Sequence, residues 1–230
     1  KLILFDSGAI AAAYGSVSAV TFITAVSYLE ALGMSLHGHM VAIMALMESP
    51  AIIMGLLLLS VFNKVESEKI KKKTAIQHSF TNGSVLLILG SLIIGYLANA
   101  QQAEGIKPFT NDLFKGFLAI FLLDMGITSG RKLKAFFSFG WFPTIFAILI
   151  PLINGSIVAL VSSMVTDDIS NRFMFAILAA SASYIAVPAA MKISVPKANL
   201  GLFLPMALAV TFPVNITIGM PIYFLVVQNT

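Results

Sequence analysis

Ile10–Thr21 reads IAAAYGSVSAVT, and Ile177–Pro188 reads ILAASASYIAVP. Laid side by side, six of the twelve positions agree: Ile10 with Ile177, Ala12 with Ala179, Ala13 with Ala180, Ser16 with Ser183, Ala19 with Ala186 and Val20 with Val187. Each stretch begins as an apolar helix of small residues and then turns polar. The small polar residues are Gly15, Ser16, Ser18 and Thr21 in the first, Ser181 and Ser183 in the second. Pro188 closes the second stretch. A proline lacks the backbone donor and its ring clashes with the preceding turn, so that helix is expected to break near Ala186. Gly15 lets the first open in the same way. A helix with a central proline follows each: Pro50 lies thirty residues after Val20, and Pro213 twenty-six after Val187. The repeat is a pair of helices, the first of each pair fractured.

The remaining sequence says what solvent these helices meet. Of 230 residues, 58% are hydrophobic and 10% charged, against roughly 25% charged in a soluble domain. Mean hydropathy is +0.95. Too few polar groups are present to cover a water-soluble globule, which excludes an ordinary soluble enzyme and a disordered chain. The absence of cysteine excludes disulfides, thiolate metal sites and cysteine nucleophiles. A spanning helix needs about 20 apolar residues. Seven runs meet or approach this: Ala9–Leu29, Met40–Phe62, Phe80–Ala100, Leu113–Gly130, Phe136–Val165, Arg172–Met191 and Leu200–Val227. Alternating the loops across a bilayer puts eleven basic residues on one side and three, Lys107, Lys115 and Arg172, on the other. The richer side is expected to be cytoplasmic, leaving His37–His39 outside. The net charge of +4 is thus explained by membrane loops, and no nucleic-acid partner is expected.

The matching helices are first and sixth in order. Five is odd, so the copies cross the membrane in opposite directions, the inverted-repeat pattern of many secondary transporters. The expected fold is all-α and polytopic. Residues 1–62 end the first repeat, 63–77 form a basic cytoplasmic loop, and 78–230 form the second, five-helix repeat. Completing the first repeat requires three helices before Lys1, so the chain reads as the last seven helices of ten.

A helix opened at bilayer depth exposes N–H and C=O groups that lipid cannot satisfy, so it must line a cavity or be buried in protein. The half-helix after the break points free N–H groups and partial positive charge at the gap. Two inverted copies aim two such ends at one point. That suits a small anion, and the hydroxyls of Ser16, Ser18, Thr21, Ser181 and Ser183 can add donors. The same oxygens can equally serve a sodium ion as the coupling cation. Small residues also simply allow helices to pack closely. Glu48 is the more telling residue, because an intramembrane charge costs about 2.5 to 3.5 kcal/mol or more and marks a function by default. Asp124, in the fourth helix, is a second intramembrane acid, with hydrogen bonding to a neighbouring helix as its alternative. Pro50, Pro188 and Pro213 are the expected helix breaks. Pro205, Pro213 and Pro221 recur every eight residues, near one face of a bent last helix with Asn215 at its centre.

Tyr14–Pro50 resembles the sodium-dependent bicarbonate transporter family. GSVSAVT (Gly15 to Thr21) is similar to that family's GAVSGST-type stretch, and Met47-Glu48-Ser49-Pro50-Ala51 to its following methionine–acid–x–proline–alanine pattern. The later resemblance lies in ILAASASYIAVP, in Val195-Pro196-Lys197-Ala198-Asn199 and in Met125-Gly126 before a basic loop. The resemblance implies a permease of two inverted five-helix units, a homotrimer in the plasma (inner) membrane. It further implies sodium-coupled bicarbonate uptake and a cytosolic PII-like regulator. Its site positions are Gly15, Ser16, Ser18, Thr21, Ser181 and Ser183. The chain departs from the pattern at Tyr184, where the family carries an aspartate, at Val187-Pro188-Ala189 in place of Gly-Pro-Pro, and at Glu48 in place of aspartate. Tyr184 removes a sodium ligand, and Asp124 is available to compensate.

The main alternative is a proton- or cation-coupled carrier of another solute, with Glu48 and Asp124 carrying protons. A passive channel is a further alternative. An intramembrane enzyme is not expected: GSVSA is not a Gly-x-Ser-x-Gly elbow, and His37 and His39 lie in a loop without further ligands at metal spacing.

Overall fold

The computed structural model describes residues 2–62, 90–91 and 93–230. The basic loop 63–77 and most of the third expected helix lie outside the described residues. Those described form helices and turns without a strand.

Helix α1 (Leu4–Gly15) and α2 (Ala19–Ala31) are the halves of the first fractured helix. After α2, Gly33 takes φ 73°, and the Met34 N–H donates back to the Leu29 carbonyl at 2.9 Å. That left-handed turn satisfies the helix end and suits glycine. Helix α3 (His39–Phe62) follows, then α4 (Ala100–Lys107), a π-helical turn (Pro108–Leu113) and α5 (Phe114–Phe137). Gly140, at φ 92°, opens α6 (Trp141–Val161). The fifth expected helix therefore starts five residues later than Phe136, which belongs to α5. Helices α7 (Ile169–Ala180) and α8 (Ala186–Ser194) are the second fractured pair. The last helix, α9 (Leu200–Asn229), contains two π-helical stretches, Met206–Thr211 and Asn215–Gly219.

Among the described residues, four stretches are long and apolar enough to cross a membrane: Leu4–Ala31, His39–Leu59, Trp141–Met164 and Leu200–Asn229. The chain is an all-α polytopic membrane protein. Contacts at its two ends agree with the loop alternation read from charge. At one end Lys115 Nζ pairs with Glu30 Oε2 at 3.0 Å, and His37 Nε2 lies 3.7 Å from Asp168 Oδ2. At the other, the Asn199 N–H donates to Asp6 Oδ1 at 2.7 Å, and Lys197 Nζ lies 5.5 Å from the centre of the Phe5 ring. The start of α1 thus lies beside the segment after α8, and the segment after α2 beside the start of α7. The two fractured helices run antiparallel.

Lipid tails give helices no hydrophobic reason to associate, so close approach through small residues matters more. A Cβ on Gly55 of α3 would lie 2.5 Å from Ala12 Cβ and 3.2 Å from the Gly8 carbonyl, and one on Gly8 would collide with Leu59. These contacts clamp α1 against α3. Buried Arg172 ties the far end of the second pair: it donates to the carbonyls of Ala159 (3.3 Å) and Val227 (3.2 Å) and to the hydroxyls of Ser162 (3.2 Å) and Thr230 (2.6 Å). A cation there also suits the carbonyl-rich ends of α6 and α9. Two larger apolar clusters hold the two ends, and a small one lies between them: Val20, Ala182, Tyr184, Ala207, Leu208 and Phe212.

Candidate functional site

Helix α1 stops where Ser16 swings to an extended conformation (φ −101°, ψ −179°). Ser18 Oγ then accepts the Thr21 N–H at 3.1 Å, the ordinary cap of a helix N-terminus, and α2 begins. Helix α7 stops at Ala180, and Ser181 is extended (φ −73°, ψ 159°). Its freed carbonyls find partners: Ile177 accepts from Ser181 Oγ (2.6 Å), Leu178 from the Ser181 N–H (3.3 Å) and Ala180 from Asn215 Nδ2 (2.6 Å). Ser183 Oγ accepts the Val187 N–H at 3.3 Å and opens α8. Pro188 is the third residue of α8, in the first turn, where a helix has no use for its amide donor. The gap thus lies just before the expected point, at Ser181–Ile185.

The breaks meet. The Ser183 N–H donates to the Ala13 carbonyl at 2.8 Å, so a freed carbonyl of one fractured helix is satisfied by the gap of the other. Both α2 and α8 begin here, and their positive ends converge on the crossing. Among the described residues, two hydroxyls buried here form no well-shaped hydrogen bond: Ser16 Oγ and Tyr184 OH, in residues only 2% and 6% exposed. Tyr184 sits edge-on to Phe212 (5.5 Å), with its hydroxyl facing the side chains of Ser18 and Thr21. A buried polar group left unpaired costs about 1–3 kcal/mol, so a ligand that paired these would be favoured.

Glu48 lies on the α3 face that docks on α1. The contacts run antiparallel, Gly8 to Leu59, Ala12 to Gly55 and Gly15 to Ala51. One turn further along α3 comes Glu48, level with the first break. It is buried, and it forms no ion pair or hydrogen bond among the described residues.

The other sequence-derived residues divide. Ser16, Ser18, Thr21, Ser181 and Ser183 are all buried around the two breaks. Gly15 is at the exposed end of α1, where an added Cβ would touch only Ala51, at 3.9 Å. Asp124 is exposed on α5 beside Ile120, Leu123 and Ile127, also exposed, and bonds to none of the site residues. Hydrophobicity placed it in the span but could not say which way it faced. Pro50 does not break its helix: α3 continues through it. The lost hydrogen bond and the ring clash cost about 3 kcal/mol, and the packing of Ala51, Gly55 and Leu59 on α1 helps to keep the helix continuous. Pro213 does not break α9 either. The turns before Pro213 and Pro221 widen to π geometry, which carries the carbonyls four residues back clear of the rings.

The model of the Na+-dependent bicarbonate transporter superfamily matches residues 1–228. The chain belongs to that superfamily. No curated protein matches it. The resemblance carried by Gly15–Thr21 and Met47–Ala51 is borne out, and this superfamily member is a multi-pass membrane transporter. Sequence reading undervalued three of its residues. Tyr184 registered only as a missing carboxylate, whereas its hydroxyl enters the crossing. Thr211 and Asn215 are on a helix noted for prolines, yet each bonds next to a break. Two polar residues one turn apart in an apolar helix were the available signal.

Proposed function

We propose that the chain carries bicarbonate together with sodium across the plasma membrane, binding both at the crossing of its two fractured helices. The observation that carries this reading is the junction itself. Two antiparallel gaps join through the 2.8 Å bond from Ser183 to Ala13, with the hydroxyls of Ser16 and Tyr184 buried there and not well bonded among the described residues. Converging helix N-termini and hydroxyl donors suit a small oxyanion. Ser18, Thr21, Ser181 and Ser183 complete the wall, and Glu48 supplies negative charge for the cation beside it. The fractured helices and their partners move as a core against the remaining helices, opening the site to each side in turn. The two inverted five-helix repeats, the homotrimer and control by a cytosolic PII-like protein belong to the same proposal. The last two rest on the family resemblance alone.

The test is uptake of labelled bicarbonate into proteoliposomes holding the complete protein. Accumulation driven by an inward sodium gradient is expected; uptake indifferent to sodium removes the coupling. Glu48→Gln should abolish the sodium dependence.

A second reading keeps the site but couples it to protons. The observation favouring it is Glu48 buried without a cationic partner among the described residues, while Tyr184 brings no carboxylate to the crossing. Uptake that follows a pH gradient in the absence of sodium selects this reading.

A further inference from the structure

The last helix bonds to both fractured helices beside their breaks. Thr211 and Asn215 are four residues apart, one turn, and both are 1% exposed. Thr211 Oγ1 donates to the Ala147 carbonyl at 2.7 Å and so accepts from Tyr14 OH at 2.8 Å, one residue before α1 ends. Asn215 Nδ2 donates to the carbonyl of Ala180, the last residue of α7, at 2.6 Å. Asn215 Oδ1 accepts in turn from Tyr223 OH at 3.0 Å, whose proton is shared with the Pro151 carbonyl at 3.2 Å. The amide is therefore held in one orientation, donor side toward α7. Both residues lie in π-helical stretches, which turn side chains of a packed helix away from regular register and recur at functional sites.

The Ala180 carbonyl would, in an uninterrupted helix, accept the N–H of Tyr184. Asn215 occupies it. We infer that Asn215 is a positioning residue of the transport site: by taking the Ala180 carbonyl it stops α7 from winding through Ser181–Tyr184, and so keeps the second gap open with the Tyr184 hydroxyl in the crossing. Thr211 steadies the first gap through Tyr14. This inference rests on the proposed transport site, but its decisive measurement needs no substrate.

The measurement is hydrogen–deuterium exchange of the Tyr184 amide in the complete protein in liposomes, beside bicarbonate uptake in the same preparation. Asn215→Leu removes the donor. The freed carbonyl then captures the Tyr184 N–H, so exchange there slows at least tenfold, and uptake falls at least tenfold. A merely loosened fold has the opposite sign, faster exchange. Asn215→Asp provides the rescue: at acidic pH its neutral carboxyl keeps one donor and one acceptor, and Tyr184 exchange returns toward wild type measured at the same pH. Should Asn215→Leu not fold, Tyr223→Phe frees the amide to rotate, and Tyr184 exchange slows by a smaller factor. Unchanged or faster Tyr184 exchange in the folded variant overturns the inference. Slowed exchange with no bicarbonate uptake even by wild type leaves it standing and removes the substrate reading instead.

Discussion

The two gaps are built differently. The first spans Ser16–Ser18, contains no proline, and restarts on the side chain of Ser18 three residues before its partner amide. The second spans Ser181–Ile185, has Pro188 in the turn that follows, and depends on Asn215, thirty-five residues along the chain, to satisfy its last carbonyl. Both gaps share the bond from Ser183 to Ala13, but the first restarts on a side chain three residues away, whereas the second gives its last carbonyl to a residue distant in the chain. Similar sequences thus reach similar shapes with different vulnerabilities: losing the Ser18 cap should disturb the first gap, and losing the distant Asn215 the second.

The largest expected effect lies in the packing beneath the gaps. Gly55→Leu drives a side chain into Ala12 and the Gly8 backbone, where nothing can move aside. Overpacking of that kind costs about 3 kcal/mol, and size-exclusion chromatography should show little folded protein. Its counterpart in the second pair is Gly155, where a Cβ would lie 2.5 Å from Tyr223 Cζ and 2.9 Å from Ala180 Cβ. The ring is buried and its hydroxyl is held by Asn215 and Pro151, so Gly155→Ala should also lower the melting temperature. Next comes Tyr184→Phe. It deletes a hydroxyl that faces Ser18 and Thr21 without a well-formed hydrogen bond among the described residues, so the melting temperature should change little, while KM for the anion rises roughly tenfold for a lost hydrogen bond to charge. A KM equal to wild type would take Tyr184 out of the site. Ser18→Ala should lower stability by about 1 kcal/mol as a lost helix cap, read from thermal unfolding in detergent. Ser183→Ala, with its longer 3.3 Å bond, should lower it less. Smallest is Pro188→Ala, within about 1 kcal/mol, because the residue sits where its missing donor is not needed. A large loss there would return the proline to the centre of the second gap.

Much of this arrangement was legible from residues alone. Gly15, the serines and Pro188 are punctuation that a helix cannot absorb silently, so both gaps were visible. Antiparallel placement followed from parity of the helix count, and the pairing of loop ends from where basic residues fall. What escaped was everything that depends on direction around a helix. Asp124 and Glu48 look alike as single acids in apolar runs, yet one faces outward and the other docks on α1. Prolines misled for a related reason: Pro50 and Pro213 sit in helices with enough other support to bend or widen instead of stopping. The grip of Asn215 on Ala180 is a contact between segments far apart in the chain, and nothing in local pattern encodes it.

The glycine clamp between α1 and α3 has a consequence for motion. Backbones that close cannot slide past one another without lifting apart, so the hairpin travels as one piece. In the proposed transport cycle Glu48 would therefore keep its height beside the first gap. Under the proposed mechanism a cation held at Glu48 would ride with the anion bound at the gap, and coupling between the two would be a matter of shared seating, with no signal to relay.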